Sequence, residues 1–441
     1  MAGFVATDRL QSWGRVTRPS QNVASPHFAD ELPSLVAGAG DTRLGVGLMR
    51  SYGDSNLNPN GSVIRMTGLD RIHHFDPASR VLRADAGLSL DSLIRTVLPH
   101  GLFPAVVPGT RFVTLGGAVG NDIHGKNHHR FGTFGNHVRR LSLMRSDGRR
   151  IELGPDDESG LFAATIGGLG LTGLIEWVEI ALRAIPGAMI DAETIPFESL
   201  EEFFALADES ITTHEHTVSW IDCTRIDGTK MRGLFMRGNC SADPDRPPHA
   251  ARPRLGMPLE LPRFALNPLT LSLFNETYYR FGRLRAGRSK VHYAPFFFPL
   301  DGIMHWNRLY GRDGMFQYQC AVPPGASLDA TAELLKIIAA SGEGSFLAVL
   351  KTFGSNASPG LLSFPREGTT LALDFRNRGR QTLELLAQLD AVVFEAGGRL
   401  YPAKDGRMSA RMFQSGYPRL EAFTAHVDPH FSSAFWRRVA P

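Results

Sequence analysis

The chain has 441 residues, 43% apolar and 21% charged, a length that allows roughly two to four domains and excludes a stapled mini-protein. Its 47 Lys and Arg against 44 Asp and Glu leave a net charge of +3, too little to act as an electrostatic footprint for nucleic acid. Cys223, Cys240 and Cys320 make an odd count without CxxC spacing, so neither a disulfide framework nor a thiolate metal cage is expected and a reducing compartment fits. The first 20 residues lack the apolar run of a secretory signal. No window approaches the ~20 uninterrupted apolar residues of a membrane span. The expectation is a cytoplasmic protein, at most peripheral at the inner face of the plasma membrane.

Up to residue 183 the elements are short and mixed. DELPSLVAG (30–38) and LSLDSLIRTVLPHG (88–101) read as helices, SVIRMTGL (62–69) and RVLRADAGL (80–88) as strands. A proline then precedes an acidic amphipathic helix, FESLEEFFALADE (197–209), and a second domain is expected over 184–398. Within it VSWIDCTR (218–225), MRGLFMRG (231–238), FQYQCAVP (316–323) and SFLAVLKTFG (345–354) read as strands. LDATAELLKIIAASG (328–342) and TLELLAQLDAVVFEAGG (382–398) read as helices. An antiparallel sheet backed by helices follows, and the last residues, 399–441, are expected to return to the first domain, 1–183. Residues 252–281 are Pro-punctuated, strongly apolar and flanked by basic residues. They read as irregular, either packed on their own domain or forming a lid or groove for an apolar substrate tail at a membrane surface.

Glycine marks where the chemistry sits. It numbers 46, about 10% of the chain against ~7% ordinarily, and clusters at 45–53, 109–125, 167–173 and 397–398. Such loops either form tight turns or aim successive amides at an anion such as a pyrophosphate. Two literal motif matches fail on context. Gly168-x-Gly170-x-x-Gly173 follows a helical pattern and precedes a strand, LIEWVEIAL, the reverse of a dinucleotide fingerprint. Gly120 to Lys126 resembles a phosphate loop, but Asn127 stands where a magnesium-binding hydroxyl belongs. His124, His128 and His129 lie close in sequence without a cysteine or a helix to align them, so no metal site is expected.

Six motifs carry a family resemblance in the right order and spacing: GLMRSYGD (47–54), PGTR (108–111), TLGGA (114–118), DIHGKNHH (122–129), GLTG (170–173) and YPAKD (401–405). Over nearly its whole length the sequence resembles the decaprenylphosphoryl-ribose 2′-oxidase family, flavoproteins of the vanillyl-alcohol oxidase superfamily. That resemblance implies an α+β architecture of two domains, a PCMH-type FAD-binding domain completed by the C-terminal segment and a central antiparallel-sheet substrate domain. It implies that Gly45, Gly47, Leu48, Met49, Arg50, Ser51, Tyr52, Gly53, Asp54 and Ser55 meet FAD. From the later motifs it adds Pro108, Gly109, Thr110, Thr114, Leu115, Gly116, Gly117, Asn121, Asp122, Ile123, His124, Gly125, Ile175 and Tyr401. The implied activity is oxidation of the 2′-hydroxyl of a polyprenyl-phosphate ribofuranose to the 2′-keto sugar, half of an epimerisation that an NAD(P)-dependent reductase completes in cell-wall synthesis.

The chemistry itself asks for a positioned proton acceptor, orienting donors and positive charge near a flavin that becomes negative on reduction. Lys404, Gln319, Tyr52 and His124 are the candidate catalytic residues. Lys126, Tyr318, Lys351, Asn307 and Trp13 are the candidate substrate contacts. Arg50 precedes Ser51 where covalent relatives carry the histidine that tethers the flavin, so FAD is expected to be non-covalent. Ala372 replaces a cysteine of well-known members, and FFFPLDG (296–302) departs from their pattern. The alternatives are an oxidase or dehydrogenase of a soluble sugar, alditol or aldonolactone on the same scaffold, and a flavin- or phosphate-binding module without catalysis.

Overall fold

The computed structural model describes residues 2–37, 41–245, 249, 255–262 and 266–440. Among the described residues three sheets form an α+β arrangement. The first joins β1 (Val5–Thr7), β2 (Gln21–Ala24), β4 (Ser62–Arg65) and β3 (Arg43–Val46) in that order, with β2, β4 and β3 parallel. The second has the order β5 (Ile72–Asp76), β6 (Val81–Asp85), β10 (Leu174–Ala184), β8 (Val138–Met144), β9 (Arg150–Leu153), and β7 (Leu102–Pro104) also pairs with β10. Every pairing in this sheet is antiparallel.

The third sheet is the largest. Its order is β14 (Gly287–His292), β11 (Met189–Ser199), β13 (Lys230–Cys240), β12 (His216–Ile221), β16 (Val349–Phe353), β17 (Gly368–Arg376), β15 (Met315–Val322), β18 (Arg399–Leu400), antiparallel throughout. Helices Ser327–Ser341 and Arg380–Glu395 bury Leu334, Leu335, Ile338, Leu386 and Leu389 in one core with Cys320, Leu350, Leu371 and Leu373 of the sheet. Period-2 alternation therefore divides each central strand: one face feeds this core, and the other is left for the site.

Three sequence expectations are corrected. The acidic helix starts at Leu200 and not at residue 197, because β11 runs on to Ser199, whose side chain caps the helix by accepting from the Glu202 amide at 3.2 Å. The irregular reading of 252–281 gives way to a 17-residue helix, Pro268–Leu284, capped by Asn267, whose side chain accepts from the Leu269 and Thr270 amides; positions 252–254 and 263–265 of that stretch lie outside the described residues. Strands β11 and β14 have no counterpart in the sequence reading, since Pro196 and the exposed basic run Gly287–Lys290 masked them.

Residues near the C-terminus contact the early glycine region directly. The Arg43 amide donates to the His430 carbonyl at 2.6 Å, the Tyr52 amide to the Ala403 carbonyl at 2.9 Å, and Arg438 pairs with Asp54 at 2.7 Å.

Candidate active site

A cavity of about 640 Å³ runs between the glycine loops and the exposed face of the third sheet. Its walls are set by simple local rules. The end of β3 and the loop after it supply Gly45, Gly47, Leu48, Met49, Arg50, Ser51, Tyr52 and Ser55; the second loop supplies Pro108, Gly109, Thr110, Thr114, Gly116 and Gly117; the histidine motif supplies Asn121, Ile123, His124, Gly125 and Lys126. Ile175, Tyr401, Lys404, Lys351, Gln319 and Trp13 complete the set of expected residues that line it.

The floor is written in strand register. Gln317 lies opposite Asp374, Gln319 opposite Ala372, and Lys351 opposite Thr370, so these six side chains share one face. All six line the cavity. Tyr318, one residue out of step, turns into the opposite core with Cys320 and Leu371, 2% exposed. Its expected substrate contact is corrected, and Gln317 stands where it was sought.

Five further expected residues stand behind the wall and not in it. Leu115 is wholly buried in the core of the second sheet. Asp122 accepts from the Gly135 amide at 2.8 Å and from the Ser358 and Ser363 hydroxyls, holding the histidine loop from beneath. Asp54 is engaged by Arg438. Gly53 packs so closely on the Asp405 carbonyl that a Cβ would come within 1.5 Å of it. Asn307 donates to the Trp13 carbonyl at 2.9 Å, positioning that lining residue.

The polar centre is buried, and burial dominates its protonation. The Lys404 ammonium sits 4.0 Å from the Tyr52 ring centre, its pKa pushed down to about 8 by burial against the pull of Asp374. The Asp374 carboxyl is pushed up to about 7 by burial, against a 2.7 Å hydrogen bond from Gln317 and the charge of Lys404. Its second oxygen is buried without a hydrogen-bond partner. Lys351 donates to the Gly125 carbonyl at 2.9 Å and is pushed down to about 7 by burial, then by Lys126. Lys126 donates to the Phe296 carbonyl and is pushed down to about 8 by burial.

His124 is held neutral, far below the ordinary imidazole range, by burial and then by the nearby Lys351 and Lys404. The Gln319 amide nitrogen lies 3.2 Å from its Nε2; since an amide N–H can only donate, the imidazole proton belongs on Nδ1. That Nδ1 is buried and has no protein partner. Its neighbours in sequence go elsewhere: His128 packs on Phe353 at 4.7 Å, and His129 donates to the His214 carbonyl at 2.9 Å. Apart from this cavity, Glu215, His216 and Cys240 place ligand atoms within 4.8 Å of one another, but Glu215 already accepts from Arg183.

These features fit a flavin nucleotide. The first loop passes Thr114 so tightly that a Cβ on Gly47 would fall 2.1 Å from Oγ1, leaving bare backbone toward the cavity. Arg50, stacked 4.0 Å over the Trp13 ring, keeps a buried Nε without a partner. In the second loop the amides of Leu115, Gly116 and Gly117 are already taken, by the Leu88 and Ala86 carbonyls at 2.9 and 2.8 Å and by Thr114 Oγ1 at 3.2 Å. Those three amides thus supply close approach and not free donors. Asp374 is the site residue that sequence reading missed; its pairing with Gln317 across two strands was visible only once register was known.

Comparison with known proteins agrees with this geometry. A family model described as an FAD binding domain matches residues 20–154. The chain is 37% identical to the decaprenylphosphoryl-beta-D-ribose oxidase of Mycolicibacterium smegmatis (strain ATCC 700084 / mc(2)155), across 98% of this chain and 97% of that protein. It is 33% identical to an uncharacterized protein in the mprA 5′ region of Streptomyces coelicolor, across 80% of this chain and all of that one. An alditol oxidase of Streptomyces sp. (strain IKD472 / FERM P-14339) is 24% identical over 40% of this chain. The near-complete match to the first of these, together with the FAD binding domain, places the chain in the decaprenylphosphoryl-beta-D-ribose oxidase family of FAD-binding proteins.

Proposed function

We propose that this protein oxidises the 2′-hydroxyl of a polyprenyl-phosphate ribofuranose to the 2′-ketone, with FAD bound non-covalently. Bound FAD supplies the hydride acceptor. The observation that carries the reading is the buried pair Lys404 and Asp374 beside Tyr52 on the cavity floor, facing the neutral His124. In its neutral form Lys404 Nζ accepts the hydroxyl proton, and Asp374 offsets the resulting ammonium charge. His124 Nδ1–H and Gln319 orient oxygen atoms of the sugar or the flavin. Lys126 and Lys351 give the site two further amines, and a substrate phosphate beside them would favour their charged form.

Arg50 supports non-covalent binding, because a guanidinium offers no nucleophile where the family's covalent relatives carry the tethering histidine. Flavin that remained with the protein after acid precipitation would contradict this. The layout taken with it is an FAD-binding unit over 1–183, a substrate unit over 184–398 and a returning segment over 399–441. A separate NAD(P)-dependent reductase would complete the epimerisation, and the stretch 252–281 would make a peripheral membrane contact. The test is anaerobic mixing with polyprenyl-phosphoryl ribose, free pentoses and alditols. Flavin bleaching by the first alone supports the reading; bleaching by a free alditol favours the soluble-substrate alternative.

A further inference from the structure

We propose that the helix Pro268–Leu284 seats the protein on an anionic lipid surface, holding the mouth of the substrate cavity against the bilayer. The inference rests on the reading above that the substrate is lipid-linked, and it specifies which face does the seating and which lipids it prefers.

The helix is amphipathic in the inverted sense. Turned toward the protein are Leu271, Asn275 and Tyr279, and Asn275 donates to the Asp222 carboxylate at 2.8 Å. Turned away are Leu269, Leu273, Phe281 and Leu284, exposed by 78, 66, 58 and 81%. At about 100° per residue these four occupy the arc opposite the buried strip. Water gives no reason to keep leucines outward and an asparagine inward; a hydrocarbon boundary does.

Two more observations select the occupant. The end of the helix and the strand after it carry Arg280, Arg283, Arg285 and Arg288, all exposed; Arg280 pairs with Glu276 and Arg288 with Glu193, and Arg283 with Arg285 provides a basic rim complementary to acidic headgroups. The same helix lends Phe274 and Tyr278 to the cavity wall, beside Leu300 and Ile303. Ile303 and Met304 are 45 and 44% exposed, and Met304 is tied to the 73% exposed Leu255 by a 2.9 Å backbone hydrogen bond. Exposed apolar side chains thus stand both on the outer helix and at Ile303 of the pocket wall, and the helix itself joins the two through Phe274 and Tyr278.

The test is co-sedimentation of the FAD-loaded protein with vesicles of equimolar phosphatidylglycerol and phosphatidylcholine, and with pure phosphatidylcholine. Binding to the first and weak binding to the second is expected. The exposed triple variant Leu269→Ser, Leu273→Ser, Leu284→Ser should lower partitioning by about tenfold or more, as should Arg283→Glu with Arg285→Glu, both with unchanged far-UV dichroism. Indifference to lipid charge, a triple variant that binds like the parent, or a dimer that the triple variant abolishes would each overturn the proposal. Flavin reduction by a short-chain, water-soluble prenyl-phosphoryl ribose reads the chemistry separately. Reduction without vesicle binding overturns the docking alone; vesicle binding without reduction upholds the docking and contradicts the functional reading.

Discussion

Lys404 concentrates the account at the scale of single residues. Its depressed pKa of about 8 makes it a base that works only when it has lost its proton. The sign follows directly: the rate of flavin reduction should rise with pH through about 8 and level off above it, and Lys404→Met should flatten that profile. The same variant should keep its FAD, because the role proposed for Lys404 is on the sugar, while reduction slows by roughly 10²-fold or more. A yellow variant with full turnover would remove Lys404 from the mechanism. Tyr318 provides the counterpart, since its ring belongs to the core face of β15. Tyr318→Phe should leave both flavin content and kcat within about twofold, whereas Gln319→Ala, one residue on, should weaken the site. That contrast was hidden in FQYQ, where the letters show two glutamines and a tyrosine but not which of them face the ligand.

At the scale of elements, the glycine loops and the third sheet carry separate burdens. Gly47→Val would force a branched side chain into the space filled by Thr114 and is expected to abolish FAD binding, read as loss of colour in a protein that still folds. His216 and His128 are buried neutral, their pKa values pushed down to about 4 and about 3 by desolvation. Below pH 6.5 the unfolded chain binds protons that the folded chain refuses, so stability should fall as pH drops from about 6.5 toward 4, by ~3 kcal/mol for each imidazole. Urea midpoints across that range would check it, and His216→Phe should blunt the slope. What the sequence disclosed at this scale followed periodicity. The helices over 327–341 and 380–395 and the strands β12, β13, β15 and β16 were legible because apolar spacing and β-branched runs agree with the burial they meet. The helix over 268–284 was not, because its apolar residues point outward, so its pattern reads as grease without a face.

For the whole molecule, the early glycine motifs and YPAKD announced themselves because close backbone approach and buried charge demand particular residues at fixed positions, and only the fold joins them. The Tyr52–Ala403 hydrogen bond at 2.9 Å stitches two motifs some 350 residues apart. Asp374 escaped notice because a lone aspartate in a hydrophobic strand has no local signature; its meaning comes from Gln317 across the ladder and Lys404 beyond it. Among the described residues no helix is long and apolar enough to cross a membrane. The cavity proposed for FAD is lined by three separate loops, so loss of FAD should lower the stability of the whole fold and not of one loop alone. At 100 times its Kd, added FAD should stabilise the apoprotein by ~2.7 kcal/mol and raise Tm by a few degrees. The central claim, that this cavity sets an alcohol of a lipid-linked ribose against a flavin beside Lys404, meets its most direct test in anaerobic stopped-flow mixing of the FAD-loaded protein with polyprenyl-phosphoryl ribose. The account predicts rapid loss of the oxidised flavin's visible absorbance with one equivalent of keto sugar formed; an unbleached flavin in the presence of saturating substrate would contradict it.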